Sequence, residues 1–575
     1  MSDPKLAVQL VQMLQERFAT KGQMTYLDRA VHLAELVIKQ NPPPDTTQTL
    51  QAMLCNTLAL RYNVTGDSDD IDKSVQATPM DHPTRARELV SLAGHIIARY
   101  QRFGDVAALG KAIEVTELIL AETSPLDPER AARVDNLGTL LYTRYERLGA
   151  RDDIDKAIRL SGQAVEVTPM AHPARPGYLS KHADFHFKRF SQYGAPDDLQ
   201  MAIRDGEEAV ALATDDNPLL PNIYAGMGSY RYGSFQLLHA PEDLDKAVEM
   251  SEKAAGATLP DTVMRANILT NSGNYLLQRF QIRNTTEDLH KAIQTIEKAI
   301  EATLPTAPDR ARGLSILGMA LSHRYELLGD LNDLANAQSN LEQSLVAGHT
   351  DRARLLRVLS MCFLYRFQRL GAMEDINKSI EITEIAVAAT DPGSTNRLSI
   401  MTHLAVLFQT RFGKFGALSD LEIAIKTTRE AIAAVPEDFV IPAGILINLG
   451  NMVYTRFLRL GPIGDPGDLD RVIEIFQQAV ATTPTGDAER ASRLNTLGNH
   501  LSDRYRRLRD ISDLDKAIQA TEEALALVSL DDEYRPGILI NLGVYLLLKK
   551  SFARPGLNLN LVHSCYSLLL VDLQT

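Results

Sequence analysis

The sequence predicts an all-α, right-handed superhelical solenoid of about twelve helical hairpins, and three observations carry this prediction. An Arg followed by an aromatic residue recurs along the chain, and, with Ser234-Phe235 counted as one copy, seven of its eleven steps equal 45 residues. Each copy lies towards the end of one stretch with helical periodicity and is followed by a second such stretch, and small residues recur where the two helices would touch. Because a lone helix pair cannot bury its apolar face, neighbouring hairpins must stack.

Composition sets the class of protein. The chain has 575 residues, 45% of them hydrophobic, with a net charge of −13, which is typical of a globular chain and argues against a nucleic-acid partner. Three cysteines, Cys55, Cys362 and Cys565, are too few for a disulfide framework and favour a reducing, cytoplasmic location. No run approaches the roughly 20 apolar residues of a membrane span, so we expect no membrane association.

The first helix of each hairpin, here the A helix, contains the recurring Arg, which we call the marker residue. In one copy the predicted apolar stripe runs through Val134, Leu137, Gly138, Leu141, Tyr145 and Leu148. Gly149 follows the marker residue Arg144 by five positions, as Gly or Asn does in most copies, and this spacing predicts a left-handed helix cap. His239 and Arg509 stand at that position in two copies and depart from the rule.

The second helix, here the B helix, opens nine residues after the marker residue with an acidic and an apolar residue. Asp153-Ile154 is one example, and apolar or small residues follow Ile154 at helical spacing as far as Val165. We expect Asp153 to cap this helix. The repeated Arg and Asp permit two interpretations, a charged ladder that grips a ligand or an Arg–Asp contact that fixes the loop, and repetition in nearly every unit favours the structural one.

These features resemble the tetratricopeptide repeat (TPR) family over about residues 5–549. The family pattern appears here as Leu137-Gly138, Ala157, Ala164 and Pro169, although the period is 45 residues rather than about 34. The long period resembles the arrays of fungal proteins that carry a CHAT domain, a caspase-like peptidase. The phrases that carry this second resemblance include the loop Thr78–Arg85, which recurs as Thr168–Arg175.

We expect residues 1–549 to form the TPR-like array and residues 550–575 to form an off-register tail. A thirteenth A helix starts at Asn541, but Lys549-Lys550 replaces the marker dipeptide. Because register is lost in mid-helix, we hypothesise a truncated or misread gene end, with the array continuing beyond it.

No catalytic, cofactor or metal site is predicted. His182 and His186 lie four apart on an A helix but have no third ligand near them in sequence. His563 and Cys565 lie in the off-register tail and do not form a credible peptidase dyad.

The resemblance implies that A helices line a binding groove. Asparagines flank the small A-helix residue in three copies, and they are Asn271, Asn274, Asn448, Asn451 and Asn499. We predict that they contact a bound peptide, with helix–helix hydrogen bonding as the rival role. The predicted function is therefore a non-catalytic scaffold for a protein or peptide; the alternative is the sensor or regulatory arm of a CHAT-type peptidase whose catalytic domain is absent from this chain.

Overall fold

The computed structural model confirms the all-α prediction, because its described residues form helices and no strand. The structure describes residues 4–77, 85–259, 262–304, 307–348, 351–391, 394–436, 439–461, 465, 467–487 and 489–553. The chain divides into two compact units, Met1–Ala302 and Thr303–Thr575.

The described part of the first unit contains fourteen helices. Their bounds are α1 (Pro4–Lys21), α2 (Met24–Ile38), α3 (Pro44–Thr65), α4 (Ser68–Gln76), α5 (Arg85–Phe103), α6 (Val106–Glu122), α7 (Arg130–Leu148), α8 (Arg151–Val167), α9 (Arg175–Tyr193), α10 (Pro196–Leu212), α11 (Leu220–Leu238), α12 (Pro241–Ala257), α13 (Val263–Arg283) and α14 (Thr286–Glu301).

The described part of the second unit contains eleven helices. Their bounds are α15 (Pro308–Leu328), α16 (Leu331–Val346), α17 (Arg352–Leu370), α18 (Met373–Ala388), α19 (Thr395–Phe415), α20 (Leu418–Ala433), α21 (Ala443–Leu460), α22 (Asp468–Ala481), α23 (Glu489–Leu508), α24 (Ile511–Leu527) and α25 (Arg535–Ala553).

Odd-numbered helices are A helices and even-numbered helices are B helices. The described residues therefore give seven hairpins in the first unit, and five hairpins followed by the lone A helix α25 in the second. Within each unit, the extensive contacts join helices one or two places apart in the chain. The described helices thus confirm the predicted twelve hairpins and the thirteenth A helix, and within each unit successive hairpins lean on one another.

The predicted stripes form the core of each hairpin. Ile154, Ala157 and Ala164 of α8 are buried against α7, where Leu137 and Tyr145 are buried in turn. Leu148 is the exception, since 59% of it is exposed. The prediction for Leu148 was therefore wrong: it is the last residue of α7, and its side chain stays largely in solvent.

The predicted left-handed caps are present in the described copies except at Gly461, whose φ of 54° and ψ of −128° lie outside the left-handed helical region. Gly149 has a φ of +70°, and its N–H donates to the carbonyl of Tyr145 at 2.8 Å. His239 and Arg509, which depart from the sequence rule, also have positive φ values of 55° and 61°. The A helix therefore ends the same way there, with the strain of a left-handed side chain retained.

Capping of the B helix differs from the prediction. Ala150 occupies the N-cap of α8, so Asp153 is the third helical residue and its carboxylate turns to Arg144 instead. Side-chain caps come from residues three positions earlier in some copies. Asp510, for example, accepts a hydrogen bond from the N–H of Ser512 at 3.0 Å.

Two segments for which the sequence makes predictions, the C-terminal tail and one repeated loop, lie largely outside the described residues. Helix α25 continues to Ala553, whereas residues 554–575, with His563 and Cys565, lie outside the described residues. So do Thr78 to Thr84 of the first recurring loop. The predicted boundary at 549 stays a prediction. No helix in the described ranges is both long and apolar enough to cross a bilayer.

Candidate binding surface

The marker arginines join two carboxylates in neighbouring hairpins. Arg189 binds Asp198 of its own B helix through Nε at 2.8 Å and Nη2 at 2.6 Å. Its Nη1 donates at 2.7 Å to Asp155 on the B helix of the preceding hairpin. Arg279 and Arg504 make the same double contact, to Asp288 with Asp245 and to Asp513 with Asp470. The first Asp of the repeated Asp-x-Asp phrase closes a hairpin, and the second ties it to the next.

The first carboxylate of each pair is nearly buried, which makes its partner necessary. Asp198 is 4% exposed. Burial raises the pKa of Asp198, but hydrogen bonds from Arg189 and His186 outweigh burial and lower it below its usual range. In the copy without a marker Arg, Ser234 and Arg231 donate to Asp243 at 2.6 Å and 2.9 Å. These charges satisfy one another, so the geometry favours the structural interpretation over a ligand-gripping ladder.

A second arginine, at the start of an A helix, was missed by sequence reasoning. Arg175 Nη1 donates to the carbonyls of Val165 and Thr168, at 2.8 Å and 2.6 Å, and so closes the carboxyl end of α8. Its Nη2 binds Glu208 of α10 at 2.9 Å. Arg490 repeats this arrangement in the second unit. The signal was present in the sequence, because several such arginines follow a marker residue by 31 positions.

The A face is defined here by two positions on each A helix, five and eight residues before the marker residue. We call the first of them the groove position. In the first unit the groove positions are polar or glycine, and all are exposed or half-buried: Gln12, Asn56, Gly94, Thr139, Asp184, Ser229 and Asn274. In the second unit Met319, Met361 and Val406 come first, followed by Asn451 and Asn499. The two units therefore present different A faces.

Three cavities lie in successive gaps between A helices of the first unit. The first has a volume of about 690 Å³ and lies among α1, α3 and α5, beside Asn56. The second, of about 450 Å³, lies between α5 and α7, where Gly94 leaves space beside Asn136 and Thr139. The third, of about 570 Å³, lies between α7 and α9. Together they form an interrupted trough along one side of four consecutive hairpins and α9.

Charges of both signs surround the third cavity. Lys181 binds the buried Asp135, and burial raises the pKa of that carboxyl despite the ammonium beside it. Lys188 lies 3.1 Å from Glu146. Asp184 accepts a hydrogen bond from Tyr230 of the next A helix at 2.6 Å. The cavity wall therefore offers donors and acceptors without a net basic field.

The five predicted asparagines all lie on A faces, but they do not form one cluster. Asn271 and Asn274 lie on α13 in the first unit and are half-buried. Asn448 and Asn451 are exposed on α21 in the second unit. In the part of the chain that the structure describes, no hydrogen bond is made by these four side chains. They remain available to a partner.

Asn499 makes a hydrogen bond between helices, which is the alternative that the sequence left open for these asparagines. Its Oδ1 accepts a hydrogen bond from the hydroxyl of Tyr545 on α25 at 2.6 Å. Tyr230 and Asp184 make the same link one A helix apart in the first unit. A tyrosine four residues before the marker position thus reaches back to the groove position of the preceding hairpin, a contact that sequence reasoning missed.

His182 and His186 are held by carboxylates rather than arranged as an open metal site. Their Nδ1 atoms lie 2.6 Å from Asp205 and 2.7 Å from Asp198, and the two rings meet edge to face. Burial lowers the pKa of His186. Within the described ranges, no group of three or more potential metal ligands comes together.

Comparisons with known proteins give only distant structural likenesses. No protein-family model matches the chain, and no curated protein matches it. The human IFIT1 dimer with PPP-AAAA is 15% identical, over 83% of this chain and 90% of that one, with a TM-score of 0.39. Yeast Tom70 is 12% identical over 90% and 99%, with a TM-score of 0.32. YrrB, described as a TPR protein with an unusual peptide-binding site, is 17% identical over 40% and 96%, with a TM-score of 0.27.

The stacked hairpins of this chain themselves make it a TPR-like helical repeat protein. The finer resemblance, to fungal CHAT-associated arrays, stays a prediction.

Proposed function

We propose that this chain is a non-catalytic scaffold that binds an extended segment of a protein partner along the A face of its first unit. The proposal is supported above all by the seven accessible polar or glycine groove positions and the three cavities that follow them. An extended peptide displays backbone donors and acceptors at regular intervals, and amide, hydroxyl and carboxyl side chains match them.

A peptide suits this surface better than a nucleic acid does. Lys181 and Lys188 are each paired with a carboxylate, and Asp184 lies beside them. A phosphate backbone needs unpaired cations, and the chain as a whole has a charge of −13. Many weak contacts along a trough also provide affinity for a long partner without a deep catalytic pocket. Cytoplasmic location is part of this proposal, because it rests on the cysteine content.

Affinity capture from native cells tests the proposal. The bait is the full chain, compared with an Asn136→Ala, Thr139→Ala variant, an Asn271→Ala, Asn274→Ala variant and a control, Gln163→Ala, on the exposed side of α8. We expect the first variant to recover at least fivefold less of the partners than the control does, with a smaller loss for the second. Equal recovery by all four baits would refute the A-face assignment.

A further inference from the structure

In several hairpins, a glycine six residues before the marker residue lies against the backbone of the B helix of the same hairpin. A Cβ built on Gly228 would lie 3.3 Å from the carbonyl oxygen of Ala247, on the B helix of the same hairpin. At Gly498 the corresponding distance, to the carbonyl of Ala517, is also 3.3 Å. Gly138, Gly273 and Gly318 face the carbonyls of Ala157, Ala292 and Ala337 in the same way. The missing side chain allows close approach of the two helix backbones.

Helix α25 repeats this surface, but none of the described residues covers it. A Cβ built on Gly543 meets no atom within 4 Å. On the same side, 39% of Leu539 and 48% of Leu546 are exposed, whereas Leu494 and Leu501, their counterparts on α23, are 3% and 1% exposed. Among the described residues, these exposed leucines and the glycine notch therefore form an apolar face without a packing partner.

The rest of α25 is seated like any other A helix. Ile538 and Tyr545 are 1% and 2% exposed. Asn541 donates to Asn495 at 3.0 Å, and Arg535 Nη1 donates to the carbonyl of Val528 at 3.1 Å. The open face is therefore held in a fixed position by contacts on the other side of the helix.

Charge indicates what the open face accepts. Lys549 stands at the marker position, and its ammonium lies 2.5 Å from Asp515 of the preceding B helix, as Arg504 lies 2.5 Å from Asp470. Arg504 also holds Asp513, in the first turn of its own B helix. Of the residues that the structure describes, Lys549 pairs with Asp515 alone, and Lys550 beside it is exposed. An acidic first turn on an incoming helix would complete the pair.

We propose that α25 binds an amphipathic helix of a partner protein in the place that a B helix takes in the other hairpins. The pattern of α24 defines that partner: an acidic residue in the first turn, a leucine or isoleucine next to it, and small residues four, eight and eleven positions after the acid. In α24 these are Asp513, Leu514, Ala517, Thr521 and Ala524, all buried. The residues equivalent to Ala517 and Thr521 of α24, which lie against Gly498, face the glycine notch, and the carboxylate joins Lys549.

A labelled synthetic peptide of residues 510–528 tests the proposal against the full chain by fluorescence anisotropy. Gly543→Leu places a side chain in the notch, where an added Cβ meets no atom within 4 Å, and Gly537→Leu is the matched control, since a Cβ there also meets none. We expect Gly543→Leu to weaken binding at least tenfold and Gly537→Leu to change it less than twofold. A peptide with Ala517→Glu should bind at least tenfold more weakly than the parent peptide.

Several outcomes would overturn the proposal. Equal binding to the Gly543→Leu and Gly537→Leu variants, or no binding to the unaltered chain, would remove the helix-binding role. Peptide binding that appears only after deletion of residues 554–575 would assign the face to that segment of the chain. Self-association abolished by Gly543→Leu, measured by light scattering without peptide, would assign the face to a second copy.

Discussion

Replacing Arg144 with alanine leaves the carboxylate of Asp153 in the α7–α8 hairpin without its guanidinium partner. The Asp153 side chain is 6% exposed, while Arg144 is 28% exposed, and two hydrogen bonds of 2.8 Å and 2.7 Å join them. Removing one partner of a buried pair costs about 3–5 kcal/mol, because the charge that remains is buried and water does not take the place of its lost partner. Asp153→Asn should cost only about 1 kcal/mol, since the amide still accepts a hydrogen bond and Arg144 reaches water.

Hydrogen exchange followed by mass spectrometry measures this difference where it arises. A repeat array opens locally, so global melting would average the effect over the chain. In the Arg144→Ala variant, amides of α7 and α8 should exchange faster by about two to three and a half powers of ten, at tenfold per 1.4 kcal/mol. Arg151→Ala is the control, because Arg151 is 66% exposed and lies 3.8 Å from its carboxylate. Equal effects of Arg144→Ala and Arg151→Ala, or a larger effect of Asp153→Asn, would refute the reasoning.

Three further predictions concern single sites. Gly228→Ala should cost about 1–3 kcal/mol of local stability, because the added methyl group crowds the carbonyl of Ala247. Gly94 has open space around it, so Gly94→Ala should stabilise α5 by up to about 1 kcal/mol. Equal changes in the hydrogen-exchange rates of the two variants would contradict this. Burial lowers the pKa of His500 to about 4, so the folded state binds its proton less readily than the unfolded state does. Stability should therefore fall by up to about 3 kcal/mol as the pH drops from about 6.5 to 4. In His500→Leu, the exchange rates of α23 should lose this pH dependence. Asn499→Ala should lower the local stability of α25 by about 1 kcal/mol, because the hydrogen bond to Tyr545 is lost. Asn451→Ala should leave the hydrogen-exchange rates of the α25 amides unchanged.

Contacts within a hairpin were largely predictable from the sequence. The spacing from Arg144 to Gly149 and to Asp153 lies within two helices and a short loop, where helical periodicity fixes which side chains share a side. The burial of Ile154 and the left-handed Gly149 follow from that periodicity. The misplaced cap at Asp153 shows the limit of this reasoning, since a shift of three residues at a helix start changes the partner of the carboxylate.

Contacts between hairpins were not predictable in the same way. The bond from Arg189 to Asp155, and that from Arg175 to the end of α8, depend on how one hairpin leans on the next. Periodicity within a helix does not specify that angle, which side-chain packing between helices determines. For the same reason the sequence placed Asn499 and Asn451 on the A face, but it could not show that Asn499 binds Tyr545 of the next A helix. The Asn451 side chain makes no such bond to any described residue.

Site-specific photo-crosslinking tests the function of the A face most directly. A benzophenone amino acid replaces Asn136, beside the second cavity, in one full-length variant, and replaces Gln163, on the exposed side of α8, in another. After irradiation in extract of native cells, we expect adducts with a partner protein from position 136 and none from position 163. Adducts from position 163 alone, or equally from both positions, would contradict binding along the A face.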